Sequence, residues 1–317
     1  MKKMNLIAAR MGRLASVAAM LASVFVTPMS AQKAAQKGAP RPSAIVFAVA
    51  TGGGEMTIDP ILGLGAGGRV LPAGNAEEDE LKRFAADYFK AGRKYRLISG
   101  GGDAGTVVVK ESKIGSDCFR TGASVEPQVA GRLGGNVMGL ATDSQTLGRR
   151  APVRRAPTDE ERAGVEKLAR TLLAQKRLSD AQLRNLKTIN LTALDFNNDG
   201  AVELVGTFKV ARGKGAADLL FLLAEPGAAA GADYRAGLSN HVALKAADLL
   251  APEVFETVGP GGFFSEILID QLDIDGDGTG ELFTYGQSLE GAQYKVYKKT
   301  RGRWLKLQEF SVYRCAY

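Results

Sequence analysis

Two cysteines, one histidine and one tryptophan are all that 317 residues hold of three side chains that often anchor cofactors or do covalent chemistry. With one histidine and no CxxC pair, ligand count excludes a structural zinc site. His241 lies in Ser239-Asn240-His241, outside any GxSxG or HExxH context, and reads as a surface or packing residue, not a general base. Apolar runs are short: none reaches the ~20 residues of a membrane span. Gly63-Leu64-Gly65-Ala66-Gly67-Gly68 formally fits GxGxxG, but Asp59-Pro60 precedes it, Pro72 follows, and no helical periodicity opens from it, so it reads as a glycine-rich loop. The run Ser99 to Gly105 lacks the Lys and Ser/Thr of a phosphate-binding loop and reads as a turn. The sequence therefore identifies no catalytic and no cofactor-binding residue, and it leans against an enzyme.

What is abundant is glycine, 39 residues, which points to many turns and hence to β structure. Charge is modest. Lys2, Lys3, Arg10 and Arg13 precede an apolar core, Leu14 to Val26, and then Pro28-Met29-Ser30-Ala31, the pattern of a secretory signal cleaved near Ala31. Its removal takes away four basic and no acidic residues, so the formal +7 falls to about +3, which is no argument for a nucleic-acid partner. The expectation is an exported protein, periplasmic or secreted, with no stable membrane span after cleavage. In that setting the even pair Cys118 and Cys315 predicts an intrachain disulfide. Closing so long a loop stabilises by about 4–5 kcal/mol in the chain-entropy model. Two buried free thiols are the alternative.

Along the chain, residues 32–43 read as a flexible leader and 44–148 as an N-terminal α+β domain. Ala44 to Ala50, Tyr95 to Ile98 and Thr106 to Val109 are strand-like. Asn75 with Glu78 forms a capping box for a helix bearing Leu81, Phe84, Ala85, Tyr88 and Phe89 on one face and stopped by Gly92. Gly115 to Gly148 shows no clear element. Arg149, Arg150, Arg154 and Arg155, interleaved with proline, read as a solvated linker over 149–157. Thr158 with Glu161, then Ser179 with Gln182, start two helices over 158–187, a helical hairpin whose longer arm buries Val165, Leu168, Leu172 and Leu173.

From residue 188 onward β signals dominate, and the chain holds an internal repeat, a unit of roughly 50 residues whose two copies are offset by 78 residues (273 − 195). Asp195-Phe196-Asn197-Asn198-Asp199-Gly200-Ala201-Val202-Glu203 and Asp273-Ile274-Asp275-Gly276-Asp277-Gly278-Thr279-Gly280-Glu281 each separate two strands, and two more strands follow each. Ala243 to Phe255 between the units is helix-compatible. Counted from the first Asp, oxygen-bearing side chains fall at positions 1, 3, 5 and 9: Asp195, Asn197, Asp199 and Glu203, then Asp273, Asp275, Asp277 and Glu281. Alternate residues on a tightly curled loop turn to a common centre, and the carbonyl at position 7 (Ala201, Thr279) adds an oxygen. So many carboxylates repel one another unless a cation sits between them, and a hard cation with oxygen ligands, Ca²⁺ first, suits the set. An EF-hand does not fit: position 12 holds Gly206 and Thr284 where that motif needs glutamate, and the flanks are β-rich.

The loops resemble those of FG-GAP or VCBS-type repeats, the calcium loops of integrin-α-like β-propeller blades, over residues 188–317 only. The resemblance implies metal-ligand roles for Asp195, Asn197, Asp199 and Glu203 and for Asp273, Asp275, Asp277 and Glu281, with calcium structural. The fold expected is α+β with a β-dominated C-terminal half: two β repeat units with DxDxDG loops plus a helical hairpin, or an incomplete or small β-propeller. The function expected is an exported, non-enzymatic calcium-binding protein of the binding, adhesion or envelope kind, facing an extracellular ligand or protein. The alternative is a secreted or periplasmic hydrolase with structural calcium. A flat β face bearing Tyr285, Tyr294, Tyr297 and Trp304 would favour ligand or partner binding; ordinary cross-strand packing is the alternative for these aromatics.

Overall fold

Strands alternate with tight turns through most of the chain, as the glycine content predicts. The computed structural model describes residues 42–313 apart from 53–54, 66–69, 73–77, 115–121, 129–136, 150–152, 214–215, 228–232, 246–264 and 289–290. The signal segment, most of the leader, Asn75, both cysteines and most of the helix expected over 243–255 lie outside the described residues.

The elements run β1 (Ala44–Gly52), β2 (Glu55–Leu64), β3 (Val70–Pro72), α1 (Glu78–Tyr88), β4 (Lys94–Ser99), β5 (Gly102–Ser112), β6 (Ala123–Gln128), β7 (Val137–Thr142) and β8 (Arg154–Arg155). Then come α2 (Asp159–Ala174), α3 (Asp180–Leu183), β9 (Leu186–Leu194), β10 (Glu203–Gly213), β11 (Ala216–Glu225) and β12 (Arg235–Leu244). The last four are β13 (Glu266–Leu272), β14 (Glu281–Ser288), β15 (Gly291–Thr300) and β16 (Arg303–Tyr313). The protein is β-dominated. No helix among the described residues is long and apolar enough to cross a membrane.

In the first half, six strands close into a barrel in the order β1-β7-β4-β5-β6-β2, with β1 also pairing β2; β3 extends β2 outside the ring. Of the GxGxxG stretch, Gly63 and Leu64 lie on β2, where they pair Leu71 and Val70 of β3. Period-two alternation on β1 sends Ile45, Phe47 and Val49 to the barrel core, with Tyr88 and Phe89 from the end of α1, while Ala44, Val46 and Ala48 face the other way. Gly100 and Gly101, both at positive φ, make the two-residue turn that lets β5 begin at Gly102. Two barrel strands, β6 and β7, come from the stretch that shows no element in the sequence.

The second half forms two antiparallel meanders, β9 to β12 and β13 to β16, each in consecutive order. Of the three expected capping boxes, the two that start α2 and α3 are present, at Thr158/Glu161 and Ser179/Gln182. The helices lay Val165, Ala169 and Leu173 against Phe208, Leu220 and Leu222 of the first meander. The other face of that sheet, through Val205, Phe221 and Leu223, meets Leu268, Leu282 and Trp304 of the second meander. The second meander's remaining face, through Ile269, Phe283 and Tyr294, meets the outward residues of β1. Helices, sheet, sheet and barrel are therefore stacked in that order. Sheets covered on both faces account for near-continuous apolar runs such as Leu219 to Leu223.

The arginine-rich linker is more engaged than a solvated one. Arg154 and Arg155 form β8 beside β9, Arg154 donates to the Ile269 carbonyl at 2.9 Å, and Arg155 grips Glu161 through two bonds of 2.7 Å.

Candidate metal centre

Loop one joins β9 to β10, and loop two joins β13 to β14. The register pairs Leu194 with Glu203 and Leu272 with Glu281, so each position-9 glutamate opens the returning strand. Position 2 is an apolar anchor in both. Phe196 is buried edge-on against Trp304, with ring centroids 5.1 Å apart, and Ile274 is buried among the side chains between β14 and the barrel. Positions 4 and 6 take left-handed φ: Asn198 (54°) and Gly200 (83°), Gly276 (77°) and Gly278 (96°). Asn and Gly are the residues that tolerate this conformation.

Curling the loop this way turns backbone N–H groups onto its own carboxylates. Asp195 accepts from the amides of Asp199 (3.2 Å) and Gly200 (3.0 Å), and Asp273 from those of Gly276 (2.7 Å) and Gly278 (3.1 Å). Asp199 and Asp277 accept from position 7, the amides of Ala201 (2.7 Å) and Thr279 (2.9 Å). Glu203 and Glu281 reach back to position 2, accepting from Phe196 (3.3 Å) and Ile274 (2.9 Å). The same frame is built twice, from two sequences that share few residues between the ligand positions.

The loops differ at their centres. In loop two, Asp273, Asp275 and Glu281 each bring a carboxylate oxygen within 4.8 Å of the others, a spacing that could hold a metal ion. Into the same cluster β15 sends Lys298, whose ammonium donates to Asp275 (2.6 Å), Asp277 (2.6 Å) and Glu281 (2.9 Å). In loop one, Asp195, Asp199 and Glu203 make no such group, and the Asn197 amide donates to Asp199 at 2.7 Å. Burial pushes Glu203 up to about 7 and Glu281 up to about 6, against the amide bonds that favour their charged forms. Burial also opposes the charge on Lys298, but its three carboxylate partners outweigh that and raise its pKa.

The two loops touch. The Gly280 amide donates to the Phe196 carbonyl at 2.8 Å, and the Gln271 side chain donates to the Asp195 carbonyl at 3.2 Å. Beside them, the Gly100-Gly101 turn and the segment Thr146 to Arg149 complete a cleft of about 450 Å³. Next to Gln271, the fully buried carboxylate of Asp270 accepts from the amides of Gly100 (2.7 Å) and Gln271 (2.8 Å), tying the second meander to the barrel turn. Lys298, Gln271 and Asp270 were not legible as site residues. Only a cross-strand register for β14 and β15 would have placed Lys298 beside Glu281.

The candidate aromatic surface is not exposed. Tyr294, Tyr297 and Trp304 are buried and Tyr285 is half-buried; Trp304 donates to Glu225 at 3.0 Å and the Tyr294 hydroxyl to Asp59 at 2.6 Å. His241 sits in a polar chain across the first meander, 2.7 Å from buried Asp218, which also meets Arg212 at 2.6 Å. That arrangement binds three adjacent strands together. Comparison of the chain with protein-family models, characterised proteins and solved structures finds no match.

Proposed function

We propose that the chain is an exported calcium-binding protein of the FG-GAP/VCBS repeat kind, and that its calcium is structural, tying β9 to β10 and β13 to β14. The observation that carries the reading is loop two, where Asp273, Asp275 and Glu281 converge within 4.8 Å and two of them, Asp275 and Glu281, already hold a cationic group. The oxygen donors suit a hard cation in kind: carboxylates from Asp273, Asp275, Asp277 and Glu281, with the Thr279 carbonyl available at position 7. Loop one repeats the backbone frame with one charge fewer, Asp195, Asn197, Asp199 and Glu203, and the Ala201 carbonyl at position 7. Export rests on the sequence pattern of residues 1–31.

The same site supports a binding role better than an enzymatic one. The barrel core is filled by Phe47, Tyr95 and Leu97, and His241 has Asp218 as its hydrogen-bond partner among the described residues. The cleft over the two loops is then where an extracellular ligand would meet the protein. Calorimetric titration of the chelator-treated full chain with Ca²⁺ tests the reading. We expect binding at ~10⁻⁵–10⁻³ M, as in extracellular modules, with a rise in melting temperature. Absence of both heat and thermal shift up to about 10 mM, beyond the weak end of that range, refutes it.

A further inference from the structure

We infer that Lys298 is the built-in cation of loop two and competes with calcium for it, so that loop one takes the metal directly while loop two takes it only by expelling its lysine. The inference rests on the calcium reading above and assigns its regulation.

Three observations lead to it. The first is coordination. An ammonium has three donors, and Lys298 spends them on Asp275, Asp277 and Glu281 at 2.6, 2.6 and 2.9 Å. Calcium takes six to eight oxygens at about 2.3–2.6 Å, so it needs these same oxygens and cannot share them with Nζ. The second is the contrast between the loops. Convergence of three acids occurs in loop two, where the ammonium bonds two of them, Asp275 and Glu281, and not in loop one, where Lys299 acts on Glu203 only from a distance and no Lys or Arg among the described residues bonds Asp195, Asp199 or Glu203. Like charges gather where a cation lets them. The third is register. Leu282 pairs Tyr297 and Leu204 pairs Ala224, so Lys298 and Glu225 occupy the same place in the two meanders. The repeat has reversed the charge at that place. Glu225 turns instead to Trp304 (3.0 Å) and Lys299 (2.8 Å).

The lysine also has a way out. Its side chain is 22% exposed, and its four-carbon stem is flexible enough to swing the ammonium into water. The buried partner, Glu281 at 1%, has no such freedom, so the carboxylate stays and the ammonium leaves. When the competent, lysine-free state is a minor one, apparent affinity falls by its fractional population. A state populated one time in ten or less makes that penalty at least about tenfold.

The test titrates the full-length wild type, Lys298→Met and Lys298→Arg with Ca²⁺ by calorimetry, with Lys298→Met/Asp275→Asn placing any gain on loop two. Lys298→Met should bind at least about tenfold tighter at one site. Lys298→Arg should match the wild type, and the double variant should lose the gain. An isotherm for Lys298→Met that overlays the wild type overturns the inference while leaving the calcium reading intact. No heat from either protein overturns both. Should Lys298→Met fail to fold without metal, the wild type gives a second readout. Amine-labelling of Lys298, followed by mass spectrometry, should speed up several-fold once two equivalents of calcium are bound, and an unchanged rate at that occupancy refutes the competition.

Discussion

Asp270 offers a sharp test of how the second meander is joined to the barrel. Its carboxylate is fully buried, accepts the Gly100 and Gln271 amides, and lies near Arg154. Burial outweighs those favourable contacts and pushes its pKa from 3.8 up to about 6. A folded-state pKa above the unfolded value means that the fold prefers the protonated acid. The associated stability is complete below about pH 4 and is lost as pH rises through about 6. Two pKa units at 1.36 kcal/mol each amount to about 3 kcal/mol, an order-of-magnitude figure. Asp270→Asn removes the titration and sets an amide N–H against one backbone donor, at a pH-independent cost of about 1–3 kcal/mol. The sign of the mutation at a single pH is thus not the informative quantity; its change with pH is. Urea unfolding of wild type and Asp270→Asn in chelator, at pH 4 and pH 7.5, should show the variant gaining about 3 kcal/mol on the wild type at the higher pH. Glu203 and Glu281, whose raised pKa values act in the same direction, cancel in the difference. A gap between the two proteins that is constant across that range refutes the account of Asp270 as a buried, preferentially neutral acid.

Two further outcomes follow from the packing of the loops. Phe196→Ala removes the anchor of loop one and its edge-on contact with Trp304; it should cost about 3–5 kcal/mol in urea unfolding, and a loss under about 1 kcal/mol contradicts the anchor role. Gly101→Ala places a methyl 3.2 Å from the Gln271 side chain at a φ of 75°, so it should destabilise by more than the ~1 kcal/mol that left-handed strain alone costs, and a neutral or stabilising effect measured the same way refutes the close approach.

The loops were legible because their requirement is local. Alternating oxygen donors and a glycine at position 6 are fixed by the turn itself, and the structure adds only that position 4, Asn198 and Gly276, shares the left-handed conformation. The helical hairpin was legible for the same reason: a capping box is written within four residues, and both are present. The barrel was not. β6 carries Ala123, Ser124 and Val125 and then Glu126-Pro127-Gln128, too short and too polar to stand out, and β7 has a glycine at its centre. What makes each a strand is its neighbours, β5 and β2 for one and β1 and β4 for the other, at separations no local pattern reports. Of the two readings of the aromatic residues, a binding face or cross-strand packing, the structure shows packing. Alternation placed Tyr294 and Trp304 on strands correctly, but the faces they occupy are covered by the barrel and by the first meander.

The repeat itself explains why the site's decisive residue stayed hidden. Two β-meanders built on the same hairpin loop both keep what that hairpin needs, which is why Asp195 and Asp273, or Glu203 and Glu281, can be aligned by eye. The neighbouring strand is free to change, because its side chain reaches the loop across the sheet and leaves no mark on the motif. At that position one unit has Glu225, drawn into the contact between the sheets by Trp304, and the other has Lys298, drawn into the loop. A motif read alone therefore assigns both loops the same chemistry. Pairing across the ladder divides them: Lys298 bonds three of loop two's four acids, whereas no Lys or Arg among the described residues bonds the three acids of loop one. Under the competition inferred above, the loop with the richer motif is the one whose acids are already paired, and the order of calcium filling is expected to run from loop one to loop two.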